Sequence, residues 1–126
     1  MIRKLVGIGV AAMLTLSVAG AAPAVAKDGD VIRRGSCSGA TDWKLKLSPE
    51  DGRIEVEYEV DSNRVGQSWK VKIVKNGNVI FRGTRTTRGA SGSFEVRRVT
   101  SNPPGPDTFR ARATHAGEVC TGRATF

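Results

Sequence analysis

Glu55, Glu57 and Glu59 are the residues whose spacing comes nearest to chemistry. Alternate positions on a β-strand lie about 6–7 Å apart on one face, a separation that suits the paired carboxylates of glycoside cleavage. Three in a row on an exposed strand face, with Lys44 and Lys46 within cross-strand reach, read instead as a solvated stripe answered by lysines. His115 stands beside Gly117 in a turn, with no free cysteine nucleophile and no G-x-S-x-G segment to serve it. No glycine-rich phosphate loop precedes a helix, because no stretch after residue 26 has helical period. The expectation is a non-enzyme with no catalytic residue and no cofactor.

Cys37 and Cys120 are the only cysteines. They lack the C-x-x-C spacing of redox motifs, and one histidine cannot complete a zinc site, so no metal is expected. An isolated pair near the two ends of an exported chain reads as one structural disulfide in an oxidising compartment.

Binding is the better-supported chemistry. Lys70, Lys72, Arg110 and Arg112 alternate with apolar residues, and Arg82, Arg85 and Arg88 stand among glycine and threonine. Arginine forks match phosphate and carboxylate oxygens two at a time. The sequence holds 20 Lys and Arg against 12 Asp and Glu, a net charge of +8. Losing Arg3 and Lys4 with a signal peptide lowers this to +6, still an excess that favours anionic partners. Nucleic acid is not indicated, because Trp43, Tyr58, Trp69, Phe81, Phe94 and Phe109 read as buried or nearly so and leave no exposed stacking platform.

The elements that must carry these cations are strands. Ile54, Val56, Tyr58 and Val60 alternate with the three glutamates; Trp69, Val71 and Ile73 alternate with Lys70 and Lys72. A period of two means half-buried β-strands. Asn76-Gly77 marks a tight hairpin, and Ser48–Gly52 is dense turn chemistry. Further alternating runs occupy Thr41–Leu47, Ser93–Val99 and Thr108–Thr114, and Asn78–Thr86 and Glu118–Phe126 read as strands without a clear period. The three prolines of Ser101–Asp107 bar regular structure there. The sum is an all-β, seven-stranded antiparallel immunoglobulin-like β-sandwich with one disulfide, in the order A-B-C-C′-E-F-G, with Trp69 opening strand C. A and B would then pair Lys46 with Glu55 and Lys44 with Glu57, and the C-C′-F-G sheet would present a basic face. A simple meander would instead pair Lys70 and Lys72 with Glu59 and Glu57 and erase that face.

Residues 1–26 read as a signal peptide: Arg3 and Lys4, an apolar run from Leu5 to about Ala19, and Ala24-Val25-Ala26 as the cleavage site. Residues 27–36 read as a short flexible lead-in and 37–126 as the sandwich domain, with no membrane span after cleavage. An extracellular or wall-associated location follows.

Cys37–Lys46 (CSGATDWKLK), Arg53–Asp61 (RIEVEYEVD), Arg85–Gly89 (RTTRG) and Gly92–Arg98 (GSFEVRR) resemble a group of small exported single-domain actinobacterial proteins of uncharacterised function. The resemblance spans nearly the whole chain after residue 26. It implies a Gram-positive, oxidising exterior and brings no ligand residues. The expected partner is an anionic cell-wall polymer or an extracellular protein met by Lys70, Lys72, Arg82, Arg85, Arg88, Arg110 and Arg112. The alternative is a secreted hydrolase inhibitor acting through residues 101–107.

Overall fold

The structure is a computed structural model that describes residues 26–126; the expected signal peptide lies almost wholly outside the described residues. Eight strands form: β1 Val31–Ser36, β2 Asp42–Glu50, β3 Arg53–Asp61, β4 Ser68–Lys75, β5 Asn78–Thr86, β6 Ser93–Thr100, β7 Thr108–His115 and β8 Glu118–Thr125. They make two antiparallel four-stranded sheets, ordered β1-β2-β3-β6 and β5-β4-β7-β8. With β2 as strand A, the arrangement is A-B-E against C′-C-F-G, an immunoglobulin-like sandwich with one added edge strand. Because β4 pairs with β5 and β7 and not with β3, the meander is ruled out.

Alternation accounts for the core. Ile54, Val56, Tyr58 and Val60 from β3 meet Trp69, Val71 and Ile73 from β4 and Phe109, Ala111 and Ala113 from β7, all buried. The Tyr58 hydroxyl donates to the Cys120 carbonyl at 3.1 Å, so the one polar atom of this buried ring is satisfied. Burial pushes its phenol well above the ordinary tyrosine value.

Three expectations are corrected. The eighth strand, β1, occupies most of the segment read as flexible lead-in. It pairs with β2 from Val31↔Leu47 to Ser36↔Asp42. Its Val31-Ile32 and Arg33-Arg34 doublets hide the period, and only the partner strand decides which residue of each doublet turns inward. Second, Ser48-Pro49-Glu50 belongs to β2 rather than to a turn. The turn is Asp51-Gly52 alone, with φ of 48° and 75°, the two-residue type that suits strand twist. Third, this shorter turn sets the hairpin register: Lys46 opposes Glu57 and Lys44 opposes Glu59, while Glu55 opposes Ser48.

The two sheets are stapled at one lateral side. Cys37, just after β1, is bonded to Cys120 in β8, as the spacing led us to expect. Around the bridge Ser38 N–H donates to Val119 O and Val119 N–H to the Ser38 hydroxyl, both at 2.9 Å. The Thr41 N–H donates to a Glu118 carboxylate oxygen at 3.0 Å. The Trp43 ring packs beside this staple between two glycines from opposite sheets. A Cβ at Gly35 would meet it at 2.7 Å and one at Gly122 at 2.6 Å. A rigid indole trapped on both sides cannot yield cheaply. Gly122→Ala is therefore expected to lower the unfolding free energy by about 1–3 kcal/mol, the usual penalty of overpacking, in a urea titration. Wild-type stability in this variant would show that Trp43 is free to move.

Candidate anion-binding face

The outer face of the β5-β4-β7-β8 sheet carries six cations and no acid. Outward positions of β4 are Ser68, Lys70, Lys72 and Val74, and those of β7 are Thr108, Arg110, Arg112 and Thr114. Strand β5 adds Arg82, Thr84 and Thr86, and β8 adds Val119, Thr121, Arg123 and Thr125. Register places the charges in rows. Lys72 lies opposite Arg82 on one side and Arg112 on the other, and Arg110 lies opposite Arg123. Neighbouring strands are about 4.8 Å apart, so the Arg82–Lys72–Arg112 row sets three like charges side by side. Shallow depressions flank it, of about 380 Å³ between Lys70, Arg82, Thr84 and Thr114 and about 480 Å³ between Val74, Arg110, Thr121 and Arg123. Among the described residues, none of the four ion pairs reaches this face.

Five of the seven residues singled out in the sequence thus share one surface: Lys70, Lys72, Arg82, Arg110 and Arg112. Arg123 joins them. Arg85 and Arg88 do not. Arg85 has the inward parity of Phe81, and its guanidinium lies over that ring at 4.8 Å from the centroid. Arg88 lies beyond β5, where its main chain exchanges two hydrogen bonds with Ser93 at 2.9 and 3.1 Å. The parity of β5 could not be read from the consecutive Val79, Ile80 and Phe81. A register shift opposite Ile73 and Val74 resolves it, turning Phe81 inward and leaving Val79 exposed.

The opposite sheet mixes both signs: Arg34 faces Lys44 and Glu59 faces Glu95, while Lys46 and Arg97 answer Glu57 and Glu55. Glu55 is buried, and Glu57 and Glu59 are half-buried, so the three are not the solvated stripe expected. Arg97 Nη2 donates to Glu55 at 2.5 Å, and Lys46 lies 3.7 Å from Glu57 and 3.8 Å from Asp30. Burial works against ionisation of Asp30, but bonds from the Ser48 hydroxyl and the Lys27 N–H, with Lys46 nearby, outweigh it and hold its carboxyl below the usual value. The Arg97 bond holds Glu55 at about 2. Sharing a proton with Glu55, then burial and the nearby Glu95, raise Glu57 to about 7, with Lys46 opposing. The pair therefore keeps one proton over most of the acid range.

These directions fix the pH dependence of stability. Below 4.5 Glu57 is protonated both in the fold and in the unfolded chain, and its full contribution is present. As pH rises from 4.5 through about 7 the fold must surrender a proton that the unfolded chain has already lost, and stability falls. Glu55 works in the lower window, contributing above 4.5 and losing that contribution as pH drops through about 2. Maximum stability is expected near pH 4.5. Glu57→Gln should flatten the decline between about pH 5 and 7 in thermal melts; an unchanged decline would show that Glu57 does not cause it.

Other candidate groups are occupied structurally. His115 Nδ1 lies 2.7 Å from the Ser68 carbonyl, and its ring packs at 5.3 Å from Trp69. No cluster of three metal-ligating side chains occurs among the described residues. The Pro-rich loop after β6 is exposed at its tip but tied at both ends. Lys75 bonds the Ser101 carbonyl and hydroxyl, and Asn76 bonds the Asp107 side chain at 2.7 Å and the Thr108 N–H at 2.8 Å.

What the arrangement can do is hold a partner that brings many negative charges on a flat or linear front. It has no enclosed pocket for a small substrate and no acid to discriminate cations. No family model, curated protein or solved structure matches the chain, so the resemblance to small exported actinobacterial proteins gains no support from these comparisons.

Proposed function

We propose that this protein is a secreted, non-enzymatic binding module whose β5-β4-β7-β8 face meets an anionic polymer of the cell envelope or its surroundings. The observation that carries this reading is the Arg82–Lys72–Arg112 row. Like charges directly opposite on neighbouring strands destabilise a sheet, by roughly 0.2–1 kcal/mol per pair, and nothing on this face offsets them. On the other sheet Lys46 and Arg97 answer Glu57 and Glu55, whereas this face holds cations and no acid, and so gains from an external anion. Secretion is supported by the signal-peptide pattern of residues 1–26 and by a disulfide, a bond that persists in oxidising compartments. Among the described residues no helix is long and apolar enough to cross a membrane. Residues 27–126 should be retained on immobilised heparin or polyphosphate at low ionic strength and released steeply as salt rises, because each displaced counterion returns. Failure to bind either polymer at low salt would remove the reading.

The pinned Pro-rich loop favours a second reading, an inhibitor or other protein-binding module acting through the 101–107 loop, of which residues 101–106 are exposed and Asp107 is buried. Replacing those six residues with Gly and Ser would then abolish affinity for a captured partner; retention of that affinity would exclude it.

A further inference from the structure

A second cationic feature lies around the edge from this face. Strands β5 and β6 are the outermost strands of their respective sheets and approach each other along one side of the sandwich. Phe81 is buried in this seam, and two guanidiniums cover its ring, one from each sheet. Arg85 Cζ is 4.8 Å and Arg98 Cζ 4.5 Å from the ring centroid. A single cation over a phenyl ring is a common favourable contact. Two on the same ring bring like charges to within about 9 Å, where they repel. Neither arginine enters an ion pair with a described residue. Each donates one hydrogen bond, Arg85 to Thr84 O at 3.1 Å and Arg98 to Arg97 O at 3.0 Å. Of five N–H donors on each guanidinium, most have no protein acceptor.

The seam continues past Arg85 as an open depression of about 420 Å³ lined by Arg88, Ser93 and Glu95. Glu95, the only acid among its lining residues, occupies this end and not the Phe81 end. Arg85 is common to both places, lying over Phe81 and lining the depression with Arg88.

We propose that Arg85 and Arg98, both lying over the Phe81 ring, form a phosphate-binding clamp separate from the sheet face. Contact with the ring restricts each guanidinium before a ligand arrives, so less side-chain freedom is lost on binding. The pair brings a charge of +2, which a phosphate dianion or a phosphate monoester neutralises and a single carboxylate does not. Two guanidiniums supplied by different sheets also suit a tetrahedral group, which offers oxygens in more than one plane. The clamp does not depend on the sheet face binding anything.

The test is a titration of residues 27–126 by nuclear magnetic resonance, following the Arg85 and Arg98 Nε–H and the Phe81 ring signals. Inorganic phosphate and glycerol phosphate are added separately, with acetate at matched ionic strength as control. Saturable shifts with a dissociation constant on the order of 1 mM are expected for a phosphate probe and not for acetate. Tighter binding of glycerol phosphate assigns the clamp to an esterified phosphate, and tighter binding of the free ion assigns it to inorganic phosphate. Arg98→Gln should weaken binding about tenfold, and Arg85→Lys, which keeps the charge but loses the fork, should weaken it too. Lys44→Gln, on the outer face of the opposite sheet, should leave it unchanged. Equal shifts with acetate, or undiminished binding in a folded Arg98→Gln protein, would overturn the proposal.

Discussion

Removing the Cys37–Cys120 bridge, by Cys37→Ala with Cys120→Ala, is expected to lower the unfolding free energy by roughly 4.5 kcal/mol. The loop it closes spans 83 residues, and the chain-entropy relation gives about that figure for such a length. A domain of this size has about 5–15 kcal/mol in all, so the bridge accounts for roughly a third or more of the total. The bridge joins the β1–β2 connection to β8 across the side of the sandwich where Trp43 sits. Its loss should free that corner first and expose the indole. Urea titrations followed by tryptophan fluorescence would measure both effects. A loss below about 1 kcal/mol would mean that the unfolded chain keeps these ends together without the bond.

Lys72→Glu is expected to move stability and binding in opposite directions. Lys72 faces Arg82 and Arg112 across its two neighbouring strands. Reversing its charge turns two repulsive cross-strand pairs into two attractive ones, and should raise the unfolding free energy by roughly 0.5–2 kcal/mol. The same change breaks the middle of the cationic row and should lower affinity for heparin or polyphosphate by more than about tenfold at low salt. A variant that binds less only because it is poorly folded shows the reverse pattern on stability. This opposition is the mark of a surface held against the interests of the fold. Loss of stability in Lys72→Glu would show that the row is not strained.

Most of the fold is legible in the sequence because most strands carry their own alternation and the turns carry their own glycines. Asn76-Gly77 and Ala116-Gly117 both adopt positive φ at both residues, and the sequence marks each place with a glycine. What is not legible depends on partners. β1 has two doublets in place of a period, so its existence follows from β2 and from nothing local. The β2–β3 register depends on whether Pro49 ends a strand or extends it. Pro49 stays in the strand, which moves every lysine–glutamate pair by two positions. The site divides in the same way. Lys70, Lys72, Arg110 and Arg112 declare their side by alternation, but their shared surface requires β4 to lie beside β7, a pairing across 32 intervening residues. Arg85 shares its parity with Phe81, and that parity is set by an irregularity between β4 and β5. Arg98 carries one usable signal. It follows Arg97 directly in a strand, so the two must point to opposite faces.

The central claim is that one face of the sandwich, and not net charge alone, binds the polyanion. The direct measurement is the salt dependence of binding to polyphosphate for the wild type, Lys72→Glu and Lys44→Glu. The two variants change net charge equally, but Lys44 lies on the opposite sheet, across from Glu59. The expected result is a wild-type slope of log affinity against log salt of about −2 to −4. Lys44→Glu should keep most of this slope and affinity, whereas Lys72→Glu should lose more than about tenfold in affinity and show a slope shallower by 1 or more. Equal losses in the two variants would contradict the claim.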